Sequence, residues 1–407
     1  MNLTEFKEEL TRDLTENILP YWTERMSDPA GGYFGRRNGY DRLHADAERG
    51  AILNARILWT FSAAYRMTGR EEYHLAARHA LEYVTEHFID HDFGGVYWSV
   101  NADGSPLDTK KQFYAIAFTI YGLSEYSRAT GDAGSRDLAM SLFGDIEGHS
   151  RDLAKGGYIE AAMRDWSPIA DMRLSDKDEN ASKTMNTHLH ILEAYTALLR
   201  VSDDPAVREA HRNLIEIFLD RIEDPETHHL GLFFNDDWRR LDANESYGHD
   251  IEASWLLLEA ALVQDDPALT GRVMEHTRRI ALAALDGREA DGSMVYELHR
   301  GDAAADANSD SGEWLDTEKH WWVQAENVVG QLYLWKFHGM EDMLDRAMQS
   351  WAYIRENLID RTDGEWYWSR LPDGSVNRRD DKAGFWKCPY HNSRMHLEAL
   401  ELLEQTK

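Results

Sequence analysis

Paired histidines and carboxylates, an arginine and several aromatics are the residues of this 407-residue sequence best suited to chemistry. His190-x-x-Glu193 and His249-x-x-Glu252 share a spacing, and residues three apart on a helix are neighbours. A carboxylate beside an imidazole fixes its tautomer and raises its basicity, as a general base near neutral pH requires. One such pair is an ordinary surface feature. Two pairs at equivalent positions of a repeat, joined by His391, make a candidate acid/base set. Clustered histidines also bind metals. However, His188 and His190 are two apart and point to different sides of a helix, and His228-His229 reads as a solvated loop. These placements argue against a catalytic metal, and the lack of a Gly-rich phosphate loop argues against a nucleotide, so neither metal nor cofactor is expected.

The elements that position these residues follow from a repeat. Gly-aromatic segments recur at Gly31-Gly32-Tyr33-Phe34, Gly94-Gly95-Val96-Tyr97-Trp98, Gly156-Gly157-Tyr158-Ile159, Gly231-Leu232-Phe233-Phe234, Gly292-Ser293-Met294-Val295-Tyr296 and Gly364-Glu365-Trp366-Tyr367-Trp368. Their last glycines are 63, 62, 74, 61 and 72 residues apart. Turn signals such as Asn101-Ala102-Asp103-Gly104 follow, so these segments read as short β-hairpins. Helical spacing marks the stretches between them, near 4–27, 50–68, 71–90, 110–130, 134–149, 185–201, 204–223, 248–264, 267–285, 317–338, 340–359 and 391–406. Gly69, Gly131 and the Asp-Pro steps at 204–205 and 266–267 separate the helices of a pair. A sixfold repeat over the whole length predicts one all-α domain, residues 1–407. Its architecture is an (α/α)6 barrel with hairpins at one rim; an open helical solenoid is the alternative. The helix after each hairpin is expected to be the inner one. The inner-helix starts then bring Arg56, Tyr114, Asn186, His190, His249, Trp322 and His391 to one mouth.

Composition narrows the partners. A formal charge of -29 disfavours nucleic acid and anionic lipid and suits a neutral substrate. Fourteen Trp and eighteen Tyr supply flat faces for sugar rings, although they are also core material. Cys388 is the sole cysteine and excludes an internal disulfide. No signal peptide and no bilayer-spanning run is read, so a cytoplasmic protein is expected, as a monomer or weak homodimer.

Arg56-Ile57-Leu58-Trp59, Asn186-Thr187-His188-Leu189-His190, Gly248-His249-Asp250-Ile251-Glu252, His320-Trp321-Trp322 and Trp386-Lys387-Cys388-Pro389-Tyr390-His391-Asn392 resemble the N-acylglucosamine 2-epimerase superfamily, and within it the cellobiose 2-epimerases. The resemblance implies C2 epimerisation of the reducing-end glucose of a β-1,4-linked disaccharide. It makes His249 and His391 the acid/base pair and His190 the third essential histidine. Arg56, Tyr114, Asp178, Asn186, Glu252, Trp322 and Trp386 take sugar-binding or supporting positions, with Glu252 expected to orient His249. An aldose–ketose isomerase of the mannose isomerase type is the main alternative. A glycoside hydrolase or a non-catalytic sugar-binding barrel stands behind it.

Overall fold

The computed structural model describes residues 1–300 and 312–404. Outer and inner helices alternate along the chain. The pairs are α1 (Leu3–Asp13) and α2 (Ala51–Thr68), α3 (Glu71–Tyr83) and α4 (Phe113–Thr130), and α5 (Ala133–His149) and α6 (Met185–Leu199). They continue with α7 (Pro205–Ile217) and α8 (Tyr247–Gln264), α9 (Pro267–Ala284) and α10 (Trp321–His338), and α11 (Asp342–Asn357) and α12 (Tyr390–Glu404). α1, α3 and α7 are each extended by π-helical turns, α1 as far as Met26. Each even-numbered helix packs on the next, and α12 packs back on α2. That closure makes the architecture an (α/α)6 barrel.

The two rings differ in sequence for a physical reason. Every residue of α2 from Ala51 to Ala64 and of α10 from Trp321 to Leu334 is buried. A helix covered on all sides needs no polar face. Outer helices keep a stripe: Val207, Ala210 and Leu214 of α7 are buried, whereas Glu209 is exposed. Gly69, Gly131 and Gly339 stop α2, α4 and α10 in the left-handed conformation, and Asp204 and Asp266 cap α7 and α9 ahead of a proline.

The rim is stitched from repeat to repeat. Short strands just before inner helices pair with the hairpin one repeat on: β1 (Arg49–Gly50) with β2 (Ser99–Val100), which also holds β3 (Pro106–Asp108); β4 (Lys111–Gln112) with β5 (Ala161–Ala162); and β6 (Lys183–Thr184) with β7 (Phe233–Phe234). β8 (Glu245–Ser246) pairs with β9 (Glu297–His299), which also holds β10 (Trp314–Asp316), and β11 (Lys319–His320) pairs with β12 (Ser369–Arg370). The bridge Arg37↔Ala383 joins the sixth repeat to the first. Buried ion pairs hold the segments before the inner helices to the hairpin of their own repeat: Arg49–Asp28 at 2.5 Å, Lys111–Asp90 and Lys183–Asp152 at 2.8 Å, and Lys382–Asp360.

Three expectations need correction. Residues 111–112 and 319–320 are strands, so α4 and α10 begin later than periodicity implied, because the rim pairing takes those backbone groups. The fourth repeat is misplaced by the glycine pattern. Its bridge is Glu223↔Leu230, and the left-handed residue two before Leu230 is His228 (φ 63), where the other repeats have Gly31, Gly94, Gly156, Gly292 and Gly364. Nor is His228-His229 a solvated loop. His228 Nδ1 lies 2.9 Å from Glu223, and His229 is buried with Nδ1 2.7 Å from Asp250. Residues 405 and 406 of the expected last helix lie outside the described residues. No helix among those described is long and apolar enough to cross a membrane.

Candidate active site

The inner helices present their first two turns to the barrel mouth in layers. Asn186, Tyr114 and Trp322 are second residues of α6, α4 and α10, and His249 is the third of α8. α12 is entered from Pro389, whose carbonyl accepts from Ser393 N–H at 3.1 Å, so His391 also stands third. The two imidazoles therefore lie at one level, on helices that flank α10. Between them is Trp322, its ring centroid 4.8 Å from His249 and 5.6 Å from His391.

One turn deeper, the sixth positions are Arg56, Phe118, His190, Glu252, Glu326 and, counted from Pro389, Arg394. This corrects the register of the two His-x-x-Glu pairs: His190 is sixth on its helix and His249 third, so Glu252 is the counterpart of His190. The pairs also differ in contact. His190 Nδ1 lies 2.8 Å from Glu193 as expected. His249 Nδ1 instead meets Ser246 Oγ at 2.8 Å, because Glu252 is engaged by Arg394 at 2.5 Å. His391 Nδ1 lies 2.8 Å from Glu326 and 3.9 Å from Glu252.

Arg394 is the hub of this floor. It meets Glu326 at 2.7 Å and also contacts Glu193 and the Tyr390 hydroxyl, which donates to Glu193 at 2.5 Å. Burial tends to raise the Glu193 carboxyl, but Arg394 and His190 overcome it and hold it at about 2. Burial and the neighbouring Glu326 push Glu252 up to about 7. Burial lowers His249 to about 3, with a contribution from His190. Burial, then Arg56 and Arg394, lowers His391 well below the usual imidazole value. Neutral imidazole is the form that can accept a proton. Glu252, Glu326 and His391 place ligand atoms within 4.8 Å of one another, as a metal site would. The guanidinium of Arg394 already occupies their electrostatic centre, which disfavours a second cation there.

Arg56 lies on the aromatic side of the barrel. Its guanidinium is 4.1 Å from the Phe118 ring centroid and 4.7 Å from that of Tyr390, and it donates to the Tyr114 hydroxyl at 2.9 Å. Tyr114 also stands edge-on to His190 at 5.0 Å and to Trp386 at 6.3 Å. Cys388 is buried nearby. His188 belongs elsewhere: its Nε2 accepts from Tyr158 N–H at 3.0 Å, anchoring its own hairpin. Asp250 and Gln324 likewise accept a hairpin N–H at the fourth position of their helices, and Asn392, at that position of α12, donates to the Glu365 carboxylate at 2.7 Å.

A cavity of about 580 Å³ opens onto this site from repeats three to six. Among the expected residues, His249, Asn186 and Asp178 line it. Asn186 Oδ1 is buried without a partner, and the half-buried Asp178 accepts from Ser175 N–H at 2.9 Å. His190, His391, Arg56, Tyr114, Glu252 and Trp322 form the level beneath and beside it, and Trp386 stands against Tyr114 and Trp98. Sequence reasoning gave no role to Ser246, Glu326, Tyr390 or Arg394. Only Glu326 had a legible signal, as an acid in the second turn of an inner helix beside Trp322.

The profile of the N-acylglucosamine 2-epimerase (GlcNAc 2-epimerase) family matches residues 32–394. The chain belongs to this family. Among relatives, it is 53% identical to a cellobiose 2-epimerase of Bacteroides fragilis over 97% of this chain and 98% of that one. It is 36% identical to a cellobiose 2-epimerase of Ruminococcus albus over 96% and 97% of the two chains. Among solved structures, the cellobiose 2-epimerase of Bacillus thermoamylovorans B4167 superposes with a TM-score of 0.90 at 37% identity, covering 98% of this chain and all of that one. In this family member, Glu326 and Arg394 share the second helical turn with Arg56, His190 and Glu252, one level below His249, His391 and Trp322.

Proposed function

We propose that this protein is a cellobiose 2-epimerase that reversibly inverts C2 of the reducing-end glucose of β-1,4-linked disaccharides, without a cofactor. The observation that carries the reading is the pair His249 and His391, level with each other across Trp322. Both have Nδ1 committed, which leaves Nε2 for substrate. Near full-length similarity to cellobiose 2-epimerases supports the same conclusion.

In the open-chain sugar the C1 carbonyl acidifies the C2 proton. One imidazole takes that proton, and the electrons move to the carbonyl oxygen as a cis-enediolate. The other imidazole also rests neutral; it takes the O1 proton as the ring opens, while His190 protonates O5, and it delivers that proton to C2 from the opposite face. The roles exchange in the reverse direction. Glu326 stabilises the imidazolium of His391 as the buried carboxylate of a catalytic triad does. The Ser246 hydroxyl can donate or accept, so it tolerates either tautomer of His249. Arg56 and Tyr114 supply donors for the enediolate oxygen, and His190, held by Glu193, assists ring opening. Asn186 and Asp178 hold the sugar from the cavity side, while Trp322 and Trp386 pack against it. On this reading residues 1–407 form one catalytic domain, working in the cytoplasm as a monomer or weak homodimer.

The test is NMR of cellobiose with enzyme in deuterated water. Glucosyl-mannose carrying deuterium at C2 is expected, and His249→Ala or His391→Ala should lower kcat by about 10²–10⁴-fold. Release of glucose would indicate a hydrolase, ketose from mannose without epimer an isomerase, and no exchange at C2 a binding protein.

A further inference from the structure

The sheet β8–β9–β10 forms a wall of the cavity, and its register orders what the wall shows. Ser246 pairs with Glu297 and Glu297 with Asp316; two residues further out, His299 pairs with Trp314, with Asn244 just ahead of β8. Side chains two apart on a strand face the same way. All six of these residues line the cavity, whereas the intervening Leu298 and Leu315 do not. The wall therefore has two rows about 7 Å apart along the strands.

The inner row is polar and touches the site, since Ser246 Oγ is the partner of His249. Burial and then Asp242 and Asp316 raise Glu297 to about 8, so its carboxyl can donate as well as accept near neutral pH. The outer row is aromatic. The His299 and Trp314 rings are stacked at 4.1 Å and 15°, and Trp314 is 53% exposed. An exposed indole face flanked by Asn244 and Glu179 suits a neutral pyranose, whose C–H face stacks while its hydroxyls donate to the carbonyl and carboxylate oxygens. The surrounding Asp178, Glu179, Asp316 and Asp380 disfavour an anionic ligand.

We propose that the His299–Trp314 platform binds a third hexose of a β-linked oligosaccharide whose reducing end lies at His249. This deepens the reading above and rests on it: the second ring lies along the inner row and the third on the outer row.

The experiment compares kcat/KM for cellobiose and cellotriose in the wild type, Trp314→Ala and Trp314→Phe. Trp314→Ala should lower kcat/KM for cellotriose about five- to tenfold, through KM. Cellobiose should change less than about twofold, and Trp314→Phe should restore most of the loss. Equal change on both sugars, or no change on either, overturns the proposal. If the wild type epimerises neither sugar, the functional reading fails instead. Calorimetric binding then decides the subsite: Trp314→Ala must weaken cellotriose alone, and equal binding by variant and wild type overturns it.

Discussion

Arg56 and Arg394 occupy the same turn of their inner helices and are both buried, yet they are set in opposite surroundings. Arg394 contacts Glu193, Glu252 and Glu326, one from each of three helices. Among the described residues, no carboxylate lies within ion-pair distance of Arg56; it meets aromatic faces, one phenol and the Cys388 thiol. A buried cation surrounded by carboxylates has its field spent locally. One held by ring quadrupoles keeps net positive charge to offer a ligand. On the mechanism proposed above, the difference makes Arg394 a structural cation and Arg56 the one available to a developing oxyanion.

Swapping each arginine for Met separates the two roles most sharply. Arg394→Met strands three buried carboxylates and should lower unfolding free energy by about 3–5 kcal/mol in urea titrations. Arg56→Met should leave stability within about 1 kcal/mol while lowering kcat on cellobiose about 10²–10³-fold. If Arg56→Met proved as destabilising as Arg394→Met, the contrast would collapse. Next in size is a pH effect on the floor. Glu252 titrates at about 7 in the folded protein and near 4.5 unfolded. The native state therefore holds its proton longer, and stability is lost as pH rises from 4.5 through 7. Glu252→Gln removes that loss, so its stability relative to wild type should rise across this window, by the order of 3 kcal/mol. A pH-independent difference would contradict the assignment. The smallest expected effect tests the link between the site and the rim. Ser246→Ala frees His249 Nδ1 and should lower kcat about fivefold, with little change in stability.

The barrel, its closure and the inner-helix identity were legible because helix period and hairpin punctuation are local signals. The fourth hairpin was misread because the pattern sought glycine, whereas the left-handed residue there is His228. The three histidines could be singled out because each lies in the first two turns of an inner helix, where a bland amphipathic pattern has no need of an imidazole. What spacing could not deliver was partnership. Glu252 looked like the companion of His249, but its partner Arg394 lies 142 residues away in sequence and wins through the closure of the ring. Ser246 gave no signal, because a serine before a helix reads as a cap.

The seam that closes the rim also dictates an order of assembly. Trp22 donates to Glu365 at 2.8 Å, Trp351 to Glu9 at 2.8 Å and Trp366 to Asp13 at 2.9 Å, in addition to the Arg37↔Ala383 bridge. The first helix thus finds its main polar partners only in the last repeats. On a ribosome adding about 5–20 residues per second, its apolar stripe of Phe6, Leu10 and Leu14 waits on the order of half a minute for that neighbour. Nascent chains of this barrel are therefore most vulnerable to aggregation at this helix, and a chaperone that shelters it would act where the delay is longest.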